Sequence, residues 1–309
     1  MPNGRFAPSP TGDLHLGNLR TALLAWLFAR SSQSAFLLRM EDLDRSSVRP
    51  EFYGRQGDDL TALGLDWDGP VVRQSDRLDH YRDAIEQLHR GGLTYPCYCT
   101  RREIQEAVSA PHGPATEGAY PGTCRVLTAG QRQRHERDGR PAAWRVRGDG
   151  VRVAFVDRVC GPHEGVVDDV VIERNDGTPA YNLAVIVDDA EQGIGEVVRG
   201  DDLLSSTPRQ LHLAALLGLA APTYAHVPLV LGPTGQRLAK RDGAVTLADR
   251  LALGETSSRV LGRLAVSAGV IETERPLAST DLHSVAESFD PARLFSQPWT
   301  LGPEDLGID

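Results

Sequence analysis

A histidine stands at the start of the first predicted helix, in the run His15-Leu16-Gly17-Asn18. A helix N-terminus carries free backbone N–H groups and about half a positive charge, so it favours anions. A histidine there can donate a hydrogen bond to a phosphate oxygen, and Gly17 lets a ligand approach the backbone closely. Taken alone, the tetrapeptide is explained at least as well by a histidine that only caps an ordinary turn.

A second cationic stretch lies far along the chain, where Lys240 is flanked by Arg237 and Arg241 in a loop that contains several glycines. A mobile cationic loop can close on a transition state and neutralise charge that develops on phosphates. A solvated basic loop is the alternative. Because His15 and Lys240 each follow a strand of the same predicted sheet, we expect both to reach one crevice.

A third set of polar side chains suits a small amino acid with an acidic side chain. Its members lie at predicted strand ends or in the loops that follow: Arg5, Ser9, Glu41, Tyr181 and Arg199. Arginine binds a carboxylate through a two-pronged fork, and a glutamate side chain pairs with an ammonium group. Structural ion pairing is the alternative for each residue taken singly.

Three cysteines could bind a metal ion, since Cys97 and Cys99 are followed downstream by Cys124. Zinc is held tetrahedrally by such thiolates when a fourth ligand exists. Candidates for that ligand are Tyr120, His112 and His135. The usual Cys-x-x-Cys spacing is absent, so plain burial of the thiols stays open on spacing alone.

Composition is that of an ordinary globular protein, with 40% hydrophobic and 24% charged residues in 309. The net charge of −9 argues against coating nucleic acid through bulk charge, although residues 125–147 carry seven arginines. No apolar run approaches the roughly 20 residues of a membrane span, and the N-terminus does not resemble a secretory signal. We therefore expect a cytoplasmic protein with no membrane partner. We also expect a monomer, although nothing in the composition bears on oligomeric state.

The elements that must position these side chains follow an α/β pattern. We predict a strand over 4–7, a helix with apolar residues from 19 to 27, and a parallel strand over 35–40 that ends in Glu41-Asp42. Ligands of open α/β sheets bind at such strand ends. A later helix is marked by apolar residues from 78 to 88.

Residues 94–165 interrupt the α/β rhythm and contain the cysteines, so we predict an insertion there. Beyond it we predict a hairpin with strands over 170–174 and 181–187, a strand that leads into Arg199, and a helix over 208–217. The resulting units are 1–93 and 166–245 as the two halves of one catalytic domain, the insertion 94–165, and a helical region over 246–309.

Three motifs together resemble class I aminoacyl-tRNA synthetases of the glutamate group. "RFAPSPTGDLHLGNLRTAL" is similar to the first signature of that group, "RLAKRDGAVTL" to the second, and "AYNLAVIVDDAEQGIGEVVRGDDLLSSTPRQ" to the stretch between them. The resemblance covers roughly residues 3–245. It implies a Rossmann-type parallel-sheet catalytic domain with an inserted zinc-containing module and a helical C-terminal region.

Within the group, the chain resembles the short glutamyl-Q tRNA(Asp) synthetase family. The chain stops soon after the second signature, so we expect no anticodon-binding domain, and the cysteine pattern is similar to the zinc site of that family. The resemblance implies activation of L-glutamate with Mg²⁺ and ATP, followed by attachment of glutamate to queuosine in tRNA(Asp). The alternatives are a truncated glutamyl-tRNA synthetase that charges tRNA(Glu) at its 3′ end, and a non-catalytic paralogue that binds RNA or glutamate.

The resemblance also implies roles for individual residues. Glutamate would contact Arg5, Phe6, Ala7, Pro8, Ser9, Glu41, Tyr181 and Arg199. ATP would contact His15, Gly17, Asn18 and Lys240, of which His15 and Lys240 would be catalytic. One structural Zn²⁺ would be bound by Cys97, Cys99, Tyr120 and Cys124. Cys160 falls outside the pattern, and we expect a buried thiol.

Three positions depart from the usual signatures of the group. Asn18 stands where many relatives have histidine or a small residue, and it can still donate a hydrogen bond. Arg237 replaces the usual first lysine and keeps its charge, whereas Ala239 replaces a serine and loses one hydroxyl contact.

Overall fold

The computed structural model describes residues 2–108, 120–238 and 245–306. The helices are α1 Leu16–Ser31, α2 Glu51–Ala62, α3 Leu78–Arg90, α4 Arg101–Val108, α5 Ala129–Arg137, α6 Tyr181–Glu191, α7 Thr207–Leu217, α8 Leu247–Ala252, α9 Ser257–Ser267, α10 Leu282–Glu287 and α11 Pro303–Leu306. The strands are β1 Gly4–Phe6, β2 Phe36–Met40, β3 Val72–Arg73, β4 Thr94–Cys97, β5 Ala143–Val146, β6 Arg152–Asp157, β7 Gly161–Val166, β8 Val170–Glu173, β9 Glu196–Gly200, β10 Thr223–Val227, β11 Val230–Leu231 and β12 Trp299–Thr300. Within these ranges, no helix has the length and apolar character needed to cross a membrane.

The main parallel strands form two groups that meet beside β1. In one group β1 pairs with β2 and β2 with β3, while in the other β9 pairs with β10 and β10 with β6, all parallel. The two groups are joined by a parallel bridge between Asn3 and Ile194. The strand order therefore reverses between β1 and β9, and ligands of open α/β sheets bind at such a switch point. The predicted α/β fold with a parallel sheet is confirmed.

Helix α1 is the central support of the first strand group. Its residues Leu19, Leu23, Trp26 and Leu27 are completely buried. A Cβ atom at Gly4 would lie 2.9 Å from the Cβ of Ala29, so the glycine permits β1 to lie directly against the helix. Strand β1 and helix α1, which lie on either side of His15 in the sequence, are thus held in close contact.

A separate antiparallel sheet is formed by β4, β5 and β8. It contains Cys97, at the end of β4. Strand pairings cross the predicted boundary at residue 165 in both directions, since β8 pairs with β5 and β6 pairs with β10. The division into 1–93, 94–165, 166–245 and 246–309 therefore stays a prediction.

The predicted hairpin after residue 170 is wrong in its second half. Its first strand and its turn are present, and Gly177 donates from its backbone N–H to the carbonyl of Arg174 at 3.0 Å. The segment predicted as the second strand, 181–187, is instead the start of helix α6. Five consecutive residues from Leu183 to Val187 are buried, so the helix has an apolar surface on several sides. A short apolar run of this kind does not distinguish a buried strand from a buried helix.

Beyond residue 245 the chain returns to the parallel sheets. Helices α8 and α9 are joined by a charged cluster in which Arg250 and Arg263 both contact Glu255. Strand β12 then pairs in parallel with β11. This pairing fixes the last described segment beside the strand that precedes the Lys240 loop.

Candidate active site and cysteine cluster

A cavity of about 570 Å³ opens at the switch point between β1 and β9. Its wall includes nearly every predicted contact for glutamate and ATP: Arg5, Phe6, Ala7, Pro8, Ser9, His15, Gly17, Asn18, Glu41, Tyr181 and Arg199. The loop between β1 and α1 is held in shape by Gln56, whose amide donates to the carbonyls of Ser9 and Gly12 at 3.0 and 2.7 Å. The structure thus brings these distant sequence positions to one place.

His15 caps α1 through a reciprocal pair of hydrogen bonds with Asn18. The His15 Nδ1 accepts the backbone N–H of Asn18 at 3.3 Å, and Asn18 Oδ1 accepts the backbone N–H of His15 at 3.2 Å. Since Nδ1 is an acceptor, the proton of the neutral ring lies on Nε2. Burial and then the charge of Arg237 lower the pKa of His15 to about 4, so the ring is neutral at pH 7. The cap therefore leaves one N–H donor for a ligand.

The backbone beside His15 also presents a donor. Gly17 lines the cavity, and its N–H has no protein acceptor among the residues that the structure describes. A Cβ atom at Gly17 would lie 3.0 Å from the His15 ring, so a larger residue would require the imidazole to shift by a few tenths of an ångström. The ring N–H and the free backbone N–H are thus two donors at the helix N-terminus, a place that favours anions, and the predicted ATP contacts there stay a prediction.

Lys240 lies outside the described residues, and its predicted role stays a prediction. Both flanks of its loop are described, however, and both lie beside His15. Val245 accepts the backbone N–H of Leu16 at 2.8 Å, and Arg237 lines the cavity while pairing with Asp202 at 3.0 Å.

Arg5 is held in the cavity wall by helix α6. Its Nε lies 3.3 Å from Asp189 Oδ1, and its Nη1 donates to the carbonyl of Val198 at 3.3 Å. Asp189 also binds Arg39 at 2.8 Å. Burial opposes ionisation of this carboxyl group, but Arg5 and Arg39 lower the pKa of Asp189 below its ordinary value. The arginine is thereby fixed with Nη2 left without a partner in the described part of the chain.

Glu41 and Tyr181 complete this side of the cavity. Glu41 lies 3.5 Å from the guanidinium of Arg39, and burial raises the pKa of Glu41 although Arg39 and Arg5 oppose the shift. Tyr181 begins α6 and is 39% exposed, because its ring borders open space. A carboxylate, a phenol and an arginine thus face one small volume, as an amino-acid site requires.

Arg199 is buried and bound by neutral acceptors. Its Nε donates to His226 Nε2 at 3.0 Å, its Nη1 to Gln210 Oε1 at 2.7 Å, and its Nη2 to Thr207 Oγ1 at 2.8 Å. His226 in turn lies 2.6 Å from Asp157 through its Nδ1. No described carboxylate pairs directly with Arg199.

A second cavity, of about 600 Å³, adjoins the first. The two share Ser9, Glu41 and Tyr181 as lining residues. The far side of the second cavity is formed by Tyr120 and Arg145, which belong to the cysteine-containing region. A molecule in the second cavity would therefore lie next to the first cavity, with only these three shared residues between the two.

The three predicted cysteine ligands lie together. The Sγ atoms of Cys97, Cys99 and Cys124 are all within 4.8 Å of one another and could hold a metal ion. The Tyr120 Oη lies 3.3 Å from the Sγ of Cys97 and 3.5 Å from that of Cys99. The guanidinium of Arg145 lies 3.7 Å from the centre of the Tyr120 ring. The Tyr120 phenol thus lies within hydrogen-bond distance of two of the three thiols, and its role as a fourth ligand stays a prediction.

The expectation that Cys160 is buried is wrong. Cys160 is exposed, because it lies in the turn that joins β6 to β7 at the surface. Its Sγ is 3.4 Å from the carbonyl oxygen of His226. Cys160 does not belong to the group formed by the other three cysteines.

Sequence reasoning missed the residues that support the two arginines. They are Asp189, which binds both Arg5 and Arg39, and Asp188, which binds Arg39, together with His226 beside Arg199 and Asp157 behind it. A usable signal was present, since Asp188-Asp189 ends the apolar run of α6 and His226 lies within the buried strand β10. Ionisable residues inside apolar elements are buried only when they are paired.

Comparison with known proteins agrees with the geometry. A family described as "tRNA synthetases class I (E and Q), catalytic domain" matches residues 3–301. A Nocardia farcinica protein called "Glutamyl-Q tRNA(Asp) synthetase" is 60% identical over 303 residues, which cover 98% of this chain and 94% of that protein. A Symbiobacterium thermophilum protein of the same name is 47% identical over 315 residues, covering 98% and 97%.

A solved structure is similar over almost the whole chain. It is a glutamate tRNA ligase from Elizabethkingia meningosepticum, crystallised in complex with its amino acid. The TM-score is 0.81 at 28% identity, and the match covers 98% of this chain and 67% of the other.

Proposed function

Because the chain belongs to the family of class I tRNA synthetases for glutamate and glutamine, we propose that it activates L-glutamate with ATP and transfers it to queuosine of tRNA(Asp). The observation that carries the proposal is the single cavity at the switch point. That cavity combines the N–H donors at the start of α1 with Arg5, Arg199, the half-buried Glu41 and Tyr181. Such a site is suited to binding a phosphate chain and an acidic amino acid.

In the first step a carboxylate oxygen of glutamate attacks the α-phosphorus of ATP, and pyrophosphate leaves. The chain contributes alignment and charge neutralisation rather than a covalent intermediate. His15 donates from Nε2 to a phosphate oxygen, the N–H of Gly17 adds a second donor, and Lys240 supplies a cation from its loop. Mg²⁺ bound with ATP supplies further neutralisation of the phosphate charge.

Glutamate is bound by groups that complement each of its charges. Arg5 and Arg199 attract its carboxylates, Glu41 attracts its ammonium group, and Tyr181 closes the site. The backbone of 5–9 lines the same cavity. Glutamine lacks the second negative charge and would leave a buried arginine without its partner, which is a penalised state.

In the second step a hydroxyl group of the cyclopentene ring of queuosine attacks the activated carbonyl, and AMP leaves. We assign the second cavity to this nucleoside, since it adjoins the first through Ser9, Glu41 and Tyr181. Transfer then takes place in the cytoplasm, where ATP and mature tRNA occur together.

We assign a structural zinc ion to Cys97, Cys99, Cys124 and Tyr120. Thiolates suit zinc, and the spacing of the three Sγ atoms together with the nearby phenol fits four-coordinate binding. The ion would stabilise the region that forms the far wall of the second cavity.

One experiment tests the proposed function. The protein is incubated with ATP, labelled glutamate and total tRNA, prepared from cells with and without queuosine. Label on tRNA(Asp) only in the queuosine-containing sample is the expected result, and Lys240→Ala serves as the inactive control. Label at the 3′ end of tRNA(Glu), or no glutamate-dependent ATP–pyrophosphate exchange, would overturn the proposal.

A further inference from the structure

We infer that His226 and Asp157 are positioning residues for glutamate binding. His226 holds Arg199 as a neutral acceptor, in a tautomer fixed by Asp157, and so leaves the charge of Arg199 available to a substrate carboxylate. The inference rests on the proposed function, since it assumes that Arg199 binds glutamate.

The three residues come from three neighbouring parallel strands. Asp157 ends β6, His226 lies in β10 and Arg199 lies in β9, where it is the register partner of His226. All three side chains are buried. His226 Nδ1 lies 2.6 Å from Asp157 Oδ2, and His226 Nε2 lies 3.0 Å from the Nε of Arg199. The imidazole therefore connects Asp157 to Arg199, which lines the cavity.

The direction of the hydrogen bonds fixes the tautomer of His226. A guanidinium group only donates, so His226 Nε2 must accept and the ring proton must lie on Nδ1. Nδ1 then donates to Asp157. That carboxylate also accepts backbone N–H groups of Val159 and Cys160, at 3.0 and 2.9 Å, and of His226 itself.

The protonation states agree with this arrangement. Burial opposes ionisation of Asp157, but these hydrogen bonds lower its pKa to about 2. Burial, together with the charge of Arg199, lowers the pKa of His226 although Asp157 opposes the shift. At pH 7 the pair is a carboxylate and a neutral imidazole.

The reason for a histidine at this position becomes clear from comparison with Arg5. Arg5 shares the carboxylate of Asp189 with Arg39, so its charge is partly compensated within the protein. Arg199 instead donates to an imidazole, an amide and a hydroxyl group, none of which carries a negative charge. A buried guanidinium without a carboxylate partner is compensated when an anion arrives. Aspartate or glutamate at position 226 would satisfy the same donor but would cancel that attraction.

Asp157→Asn gives the most specific test, because it replaces one carboxylate oxygen with an NH2 group and keeps the size of the side chain. The amide oxygen can keep the backbone N–H bonds, while the amide nitrogen donates to Nδ1 and moves the ring proton to Nε2, opposite the Nε–H of Arg199. We expect the KM for glutamate in ATP–pyrophosphate exchange to rise about 10- to 100-fold, with the KM for ATP little changed. The exposed Asp83→Asn is the matched control.

Two substitutions of His226 separate acceptor chemistry from packing. His226→Gln keeps a neutral acceptor and should retain most of the glutamate affinity, whereas His226→Leu should lose it. Protonation of His226 at low pH removes the acceptor, so the wild-type KM for glutamate should rise there, and it should not rise in His226→Gln. The titratable and charged groups around the imidazole are Asp157, Arg199, Asp201 and Tyr224, and the Thr207 Oγ1 lies 3.2 Å from Nε2. The half-buried His163→Gln, outside both cavities, is the control.

Nitrogen NMR of His226 provides a readout independent of activity. The expected spectrum shows a protonated Nδ1 in the wild type and a protonated Nε2 in Asp157→Asn. The inference is overturned if both Asp157→Asn and His226→Leu bind glutamate as tightly as the wild type. It is equally overturned if they lose ATP and glutamate affinity together with thermal stability. Failure of the proposed function would be distinct, since the wild type itself would then show no glutamate-dependent exchange.

Discussion

His15 and Asn18 cap the same helix by exchanging hydrogen bonds, the ring Nδ1 accepting at 3.3 Å and the Asn18 Oδ1 accepting at 3.2 Å. Capping and ligand binding were alternative explanations of this histidine in the sequence. The structure shows that they are compatible, because the cap uses one ring nitrogen and leaves the proton on the other.

His15→Asn should separate the two roles. Asparagine is a good N-cap residue, so the helix keeps its cap, but the Nε2–H that faces the cavity is lost. We expect kcat/KM for ATP–pyrophosphate exchange to fall by about 10²- to 10³-fold, as for loss of one transition-state donor. The melting temperature should stay near that of the wild type. Wild-type exchange in this variant would remove His15 from the reaction, and the half-buried His163→Asn, outside both cavities, controls for loss of a histidine.

The lowered pKa of His15 predicts a loss of stability in acid. The unfolded chain binds the proton near the ordinary value of 6.5, and the folded chain only near 4, so the unfolded state holds more protons between these values. Stability is therefore fully present above pH 6.5 and falls as the pH drops toward 4, by about 3 kcal/mol from this group. Urea unfolding at pH 7.5, 5.5 and 4.5 measures the effect, and a slope unchanged in His15→Asn would contradict it.

The cysteine cluster predicts that the protein contains zinc and that substitution of a clustered cysteine removes the zinc. Cys97→Ser should remove a metal that the wild type holds at roughly one ion per chain, whereas the exposed Cys160→Ser should keep it. Because Tyr120 lines the second cavity, metal loss should reduce transfer to tRNA more than ATP–pyrophosphate exchange. Elemental analysis and the two assays check this, and full metal content in Cys97→Ser would refute the ligand assignment.

Asp189→Asn should affect both stability and glutamate binding. The carboxylate compensates two buried arginines, and breaking a buried ion pair on one side costs about 3–5 kcal/mol. We expect a lower midpoint in urea and a raised KM for glutamate, because Arg5 loses the partner of its Nε. An unchanged urea midpoint would show that Arg39 and Arg5 find other partners. The exposed Asp83→Asn again provides the baseline.

Local patterns predicted the elements near the N-terminus well. The strand at 4–6, the helix from Leu16 and the strand that ends at Met40 are all present, since turn residues and apolar spacing mark them clearly. The clustering of Cys97, Cys99 and Cys124 was indicated by the resemblance to a known zinc site rather than by local spacing, since helix α4 lies between Cys99 and Cys124.

The supporting residues were not predictable because their partners are set by strand order. Asp157 meets His226 only because β6 and β10 are neighbours, and Asp189 meets Arg5 only because α6 packs beside β1. Nothing within either local segment specifies these neighbours. The mistaken strand at 181–187 has a related cause, since burial on all sides removes the polar face that normally reveals a helix.

Helix α6 holds two functional regions at a fixed distance from each other: the residue that lines both cavities and the two buried aspartates. Tyr181 opens its first turn toward both cavities, and Asp188 and Asp189 follow about two turns later on the side that holds the arginines. A single-residue insertion or deletion between them would swing the aspartates by about 100° around the axis. Exchange of one apolar residue for another in this stretch would keep the aspartates on that side, whereas a change in the length of the stretch would not.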